Sequence, residues 1–224
     1  MTPAADTLLS VRDLHVVFDT RYGPLTAIDR VSFDILPGEI LGVVGESGAG
    51  KSLTGTSIIG LLDPPGRIAG GTIRLQGERI DDLAPAAMRK IRGRKIGAIF
   101  QDPLTSLHPM LTIGDQLTET IRTHFPVDAA TARSTALGLL REVGIPAAES
   151  RIDHYPHQFS GGMRQRVVIA LALAAEPKLI VADEPTTALD VSIQAQIITL
   201  LKTICKERGA AVMLITHDMG VIAE

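Results

Sequence analysis

The sequence predicts an α/β fold: a core built on a parallel sheet, an antiparallel β subdomain at the N-terminal end, and an inserted helical subdomain. Three observations carry that expectation. Segments within the first eighty residues alternate apolar and polar side chains, as strands with one wet face do. Four other apolar runs do not alternate, which marks strands covered on both faces. Helical patterns fall between those runs, and strand alternating with helix implies an α/β core.

Taken in order, "LLSVRDLHVVF" (8–18), "LTAIDRVSFDI" (25–35) and "GGTIRLQGERI" (70–80) form the alternating set, bounded by Pro37-Gly38 and by glycines. The continuous runs are "ILGVVG" (40–45), "KIGAIFQ" (95–101), "LIVADEP" (179–185) and "AVMLITHD" (211–218). Helices are expected near 51–60, 161–175 and 190–207. The stretch from about 102 to 160 is helical but interrupted by prolines, and it enters between two core strands. The reading is one domain over 1–224, with core segments 1–101 and 161–224 and a helical subdomain near 102–160.

Composition narrows the classes. A chain of 224 residues can bury a sizeable core. Its formal net charge of −3 gives no electrostatic case for a nucleic-acid partner. No apolar run approaches the roughly 20 residues that span a bilayer. "MTPAADTLLSVRD" lacks the basic and apolar regions of a secretion signal. The single cysteine, Cys205, excludes an internal disulfide, suits a reducing cytosol, and reads as a small buried hydrophobe in "IITLLKTICKER". "MRKIRGRK" (88–95) reads as a solvated basic face.

The chemistry concentrates at strand ends. "GESGAGKS" fits G-x-x-x-x-G-K-[ST] between an apolar strand and a helix. Gly45, Glu46, Ser47, Gly48, Ala49 and Gly50 form a loop whose backbone N–H groups close around phosphates. Lys51 adds a cation to them and Ser52 a hydroxyl for Mg²⁺. "LIVADEP" delivers Asp183 to the C-terminal end of a buried strand, where open α/β sheets bind ligands, and Asp183 is expected to hold Mg²⁺ through water. Glu184 beside it is placed to polarise an attacking water. Gln101 and His217 end two further apolar strands and should converge on the same sheet edge. Farther along, Ser160-Gly161-Gly162 opens a helix at "HQFSGGMRQRVV" and forms a second potential anion site.

These motifs, in this order, resemble the nucleotide-binding subunit of an ABC transporter, and the resemblance covers nearly the whole chain. "GESGAGKS" is similar to Walker A and "LIVADEP" to Walker B, on a P-loop NTPase core of RecA type. Gln101 matches the Q-loop glutamine, "TALD" (187–190) the D-loop, His217 the switch histidine, and "FSGGM" (159–163) the family signature. "QDPLTSLHP", "SGGMRQRVVIALAL" and "ADEPTTALDVSIQAQI" resemble the bacterial branch that imports dipeptides, oligopeptides, nickel or glutathione.

The resemblance implies an ATPase using ATP and Mg²⁺, with Ser52, Gln101 and Asp183 at the metal and Glu184, Gln101 and His217 in catalysis. Two subunits, identical or paralogous, would sandwich each ATP between one P-loop and the partner's Ser160, Gly161, Gly162 and Met163, with Asp190 linking the sites. Phe18 and Tyr22 are rival candidates for stacking on adenine. Two permease subunits, and indirectly an extracytoplasmic solute-binding protein, would complete a transporter. The chain itself would be peripheral, on the cytoplasmic face of the bacterial plasma membrane. An ATP-binding module without turnover and a non-transport ABC ATPase are the alternatives. A GTPase is disfavoured, because a chain without asparagine cannot supply NKxD. Met163 replaces the usual signature glutamine, and His108 stands where "SLNP" has asparagine. The chain stops soon after His217, where the family continues, so the resemblance implies a truncated domain.

Overall fold

A computed structural model describes residues 7–187 and 189–218. Two sheets divide the strands as their patterning implies. The first is antiparallel: β1 (Leu9–Thr20), β2 (Gly23–Ile35), β4 (Gly66–Leu75) and β5 (Glu78–Arg79) lie in the order β2-β1-β4-β5. The second contains β3 (Ile40–Val44), β6 (Ile96–Ile99), β7 (Leu179–Asp183) and β8 (Ala211–Thr216), parallel, in the order β3-β8-β7-β6.

Two expectations need correction here. The segment 70–80 is not one strand, because Gln76 (φ 51°) and Gly77 (φ 80°) both turn left-handed. That pair makes a two-residue hairpin turn joining β4 to β5. The second concerns β3, expected to be covered on both faces. Among the described residues it pairs with β8 alone, and its residues are half-buried or exposed, whereas β8 is buried throughout.

The helices are α1 (Lys51–Ile58), α2 (Pro85–Ile91), α3 (Pro103–Ser106), α4 (Ile113–His124), α5 (Ala129–Glu142), α6 (Ala148–Arg151), α7 (Gly161–Leu173) and α8 (Val191–Arg208). Their starts are set by side-chain caps. Thr112 and Asp115 close a capping box on α4, and Asp128 accepts from Thr131 N on α5 at 2.7 Å. Ile113, Leu117 and Ile121, spaced by four, bury one face of α4. They join an apolar cluster with Leu139 and Leu140 of α5, Val167 and Ile169 of α7, Ile180 of β7 and Ile197 of α8. The inserted helices therefore share one core with α7 and the parallel sheet. None of the described helices is long and apolar enough to cross a membrane.

Cys205 is buried as expected, its thiol donating to Gly38 O at 3.0 Å. The basic cluster differs from its reading as a solvated face. Arg92 donates to Ile59 O (2.8 Å) and Gly60 O (2.7 Å) beyond the last turn of α1. Arg94 donates to Ala175 O (2.9 Å) just past α7, and its guanidinium lies 4.7 Å from the centre of the Phe125 ring. Carbonyls at helix C-termini lack backbone partners and attract cations, so these arginines tie segments together.

Gly97 of β6 marks how closely α7 approaches the sheet. A Cβ there would stand 2.7 Å from Ala172 O and 3.1 Å from Pro177 Cγ. Gly97→Ala is expected to lower unfolding stability by about 1–3 kcal/mol, read from the urea midpoint at unchanged m-value.

Candidate functional site

The loop from Gly45 to Gly50 joins β3 to α1. Gly48 and Gly50 take left-handed φ values of 82° and 84°, which a side chain would resist. Gly50 is also crowded: a Cβ there would lie 3.1 Å from Ala27 O. The loop wraps its own lysine. Lys51 Nζ donates to Gly45 O and Glu46 O, both at 2.7 Å, and Lys51 is 8% exposed. Ser52, one residue into α1, donates its hydroxyl to Asp183 Oδ1 at 2.9 Å.

Parallel pairing brings the acidic end of β7 beside the ends of β6 and β8. Glu184 donates its N–H to Ile215 O (2.9 Å) and has φ of 46°, a strained conformation for a residue with a side chain. Its carboxylate gathers three groups. Gln101 Nε2 lies 3.0 Å and Thr187 Oγ1 2.9 Å from Oε2, both donating, while His217 Nδ1 lies 3.1 Å from Oε1. A cleft of about 500 Å³ opens among Ser47, Gly48, Gly50, Lys51, Ser52, Gln101, Glu184, Thr187 and His217.

The two adjacent carboxylates are driven in opposite directions. Burial pushes Asp183 above the usual carboxylate range, and the charge of Glu184 adds to that, against the hydrogen bond from Ser52 and the charge of Lys51. Burial works against ionisation of Glu184 too, but the hydrogen bonds from Thr187 and His217 outweigh it and hold its pKa below normal. Glu184 is thus kept anionic and Asp183 is under-compensated. A half-buried carboxylate beside a hydroxyl is an oxygen pair that suits a hard divalent cation. Among the described residues no group of three or more His, Cys, Asp or Glu is placed to hold a metal ion by itself. A cation here would draw further ligands from phosphate and water, which is the habit of Mg²⁺.

Most of the expected residues therefore meet. Ser160, Gly161, Gly162 and Met163 do not join them; they line a separate cleft of about 510 Å³ with Leu189 and Asp190, and the two clefts share no residue. Ser160 caps α7 by accepting from Met163 N at 3.3 Å. A Cβ on Gly162 would meet Ile193 Cγ2 at 2.8 Å, so α7 begins hard against α8. Met163 Sδ accepts from Arg151 at 3.0 Å. Asp190 caps α8, accepting from Ile193 N at 3.0 Å. Neither stacking candidate lines the phosphate cleft. Phe18 packs on the antiparallel sheet beside Gly66, and Tyr22 is 86% exposed with the Arg21 guanidinium 5.0 Å from its ring centre.

Thr187 opens the "TALD" stretch, but its contact with the Glu184 carboxylate was not anticipated from the sequence. The available signal was a hydroxyl three residues after an acidic strand end, where a turn brings it back over the carboxylate.

A glycine loop closed on a buried lysine, at the edge of a parallel sheet that also presents a metal-suited acid, defines a P-loop NTPase of the α/β class. Comparison with known proteins fixes the family more closely. The family model described as "ABC transporter" matches residues 28–187, and the chain belongs to that family. It is 50% identical over 98% of its length to the dipeptide transport ATP-binding protein of Bacillus subtilis (strain 168), and covers 66% of that protein. It is also 50% identical to the oligopeptide transport ATP-binding protein of the same organism, over 96% of this chain and 61% of the relative. The chain thus spans a little under two thirds of these relatives. Among solved structures, the ATP-binding cassette MJ0796, dimeric in a post-hydrolysis state with ADP and Pi, superposes with a TM-score of 0.83. The identity is 32%, covering 95% of this chain and 89% of that one.

The raised pKa of Asp183 has a stability consequence. An acid whose folded-state pKa lies above its unfolded value favours folding while protonated, and this is lost as pH rises through the folded pKa. Asp183→Asn is therefore expected to raise the thermal midpoint of the nucleotide-free chain at pH 7. The gain should shrink as pH falls and the wild-type carboxyl protonates, as calorimetry over a pH series would register.

Proposed function

We propose that this chain binds and hydrolyses ATP as the nucleotide-binding subunit of a bacterial importer for peptides or a related small solute, such as nickel or glutathione. The observation that carries the reading is the Glu184 carboxylate, held below its ordinary pKa by Thr187 and His217 and also accepting from Gln101, within the cleft that contains Lys51. Similarity to two peptide-transport ATP-binding proteins supports the substrate class.

Lys51 exchanges the carbonyls of Gly45 and Glu46 for the β- and γ-phosphates, while N–H groups from Gly45 to Ser52 close around them. Ser52, Asp183 and Gln101 would hold Mg²⁺, which would supply positive charge against the phosphates. Glu184 accepts the proton of a water aligned with the γ-phosphorus, and His217 turns from Glu184 to the γ-phosphate.

The signature group, on its separate cleft, serves the nucleotide of a second subunit, either a copy or a paralogue, with Asp190 between the two sites. An isologous pair would make two complete sites. The dimeric state of the MJ0796 cassette is consistent with such pairing. An apolar groove of about 500 Å³ beside the Gln101 loop, lined by Ile59, Leu61, Ile96, Phe100 and Leu171 among others, offers a seat for a permease segment. Two permeases and a solute-binding protein would complete the transporter, with this chain peripheral on the cytoplasmic face of the membrane. The domain reading follows: core segments 1–101 and 161–224, with 102–160 as the helical subdomain that relays closure.

Removing the base typically costs about 10²–10⁴ in rate. Glu184→Gln is expected to bind ATP·Mg²⁺, lose turnover on that scale, and shift from monomer to dimer with ATP in size-exclusion light scattering. Near wild-type hydrolysis by this variant would sink the assignment of the base.

A further inference from the structure

We propose that Thr187 is the positioning residue that keeps the Glu184 carboxylate aimed once nucleotide occupies the cleft. The inference rests on the reading of Glu184 as the general base.

Three groups surround that carboxylate, and they are not equivalent. Gln101 and His217 reach it from the ends of β6 and β8, across 83 and 33 residues of sequence respectively. Both line the phosphate cleft, and both have work there when nucleotide binds. A donor drawn to a metal or a phosphate no longer restrains Glu184. Thr187 lines the same cleft, but the proposed scheme gives it neither a metal nor a phosphate to hold. It belongs to the same turn as Glu184: its N–H donates to Glu184 O at 3.1 Å while its hydroxyl donates to Oε2 at 2.9 Å. The two residues are therefore joined through both backbone and side chain.

The turn is itself held from both sides. Glu184 N is tied to Ile215 O of β8, Leu189 N donates to Thr186 O at 3.2 Å, and Thr186 is buried. A β-branched threonine on this base has few side-chain rotamers, so its hydroxyl is a stiff anchor. Reaction needs the base within a fraction of an ångström of its place, and misplacement by about 1 Å can cost about a hundredfold in rate.

The test compares Thr187→Val, which keeps the shape and deletes the hydroxyl, with Thr187→Ser, which keeps the hydroxyl. In steady-state ATP hydrolysis Thr187→Val should lose about ten- to a hundredfold in kcat, with the ATP KM held to about twofold, and Thr187→Ser should recover most of the loss. The second readout needs no turnover. With a non-hydrolysable ATP analogue and Mg²⁺ bound, the ¹³C side-chain carboxyl resonance of Glu184, assigned by its disappearance in Glu184→Gln, should move in Thr187→Val and return in Thr187→Ser. An unmoved resonance in Thr187→Val would overturn the proposal. So would full kcat in that variant alongside an inactive Glu184→Gln. An active Glu184→Gln would instead remove the base reading beneath it.

Discussion

The parallel register of β7 between β6 and β8 is the constraint on which the rest of the site depends. Ile99 pairs with Ala182, and Asp183 pairs with Ile215, so the three strands end nearly level. Parallel strands all point the same way, and whatever follows their last residues gathers along one edge. Gln101, Glu184 and His217 meet for that reason, although their nearest pair is 33 residues apart in sequence. β3 lies on the far side of β8 and sends its own end, the glycine loop, to the same edge. Burial of β7 and β8 makes this alignment hard to shift, because a slipped register would break apolar packing along both strands.

Electrostatics then differentiates residues that the backbone has merely assembled. Asp183 and Glu184 are neighbours of the same charge, yet one is stabilised as an anion by donors and the other is under-compensated. The difference lies in what faces each carboxylate. Glu184 turns, through its left-handed backbone, toward donors on both adjacent strands and on its own turn. Asp183 accepts from the hydroxyl of Ser52. Two consecutive carboxylates are thus given opposite ionisation tendencies.

Much of this was legible in the sequence. Patterning separated the two sheets, although the continuous run of β3 overstated how far that strand is covered. The phosphate loop was legible because glycine spacing, lysine and serine are themselves the chemistry. Harder to read was anything decided by one backbone angle or one neighbour. The turn at Gln76 and Gly77 depends on a glutamine adopting positive φ, which glutamine seldom does. The structural use of Arg92 and Arg94 depends on helix ends folded beside them from elsewhere in the chain. The role of Thr187 was hard to read because a hydroxyl three residues after an acid meets the carboxylate only if the chain turns there. That the signature group faces a different cleft from the phosphate loop is a fact of three-dimensional separation.

The under-compensated Asp183 reaches beyond chemistry into the lifetime of the molecule. A ligand that supplies the missing positive charge binds the folded chain and not the unfolded one, so its presence deepens the native well by mass action. The empty protein opens more often, and an opened chain is what a protease cuts. A bound cation would lower the share of opened chain, and with it the rate at which a protease cuts.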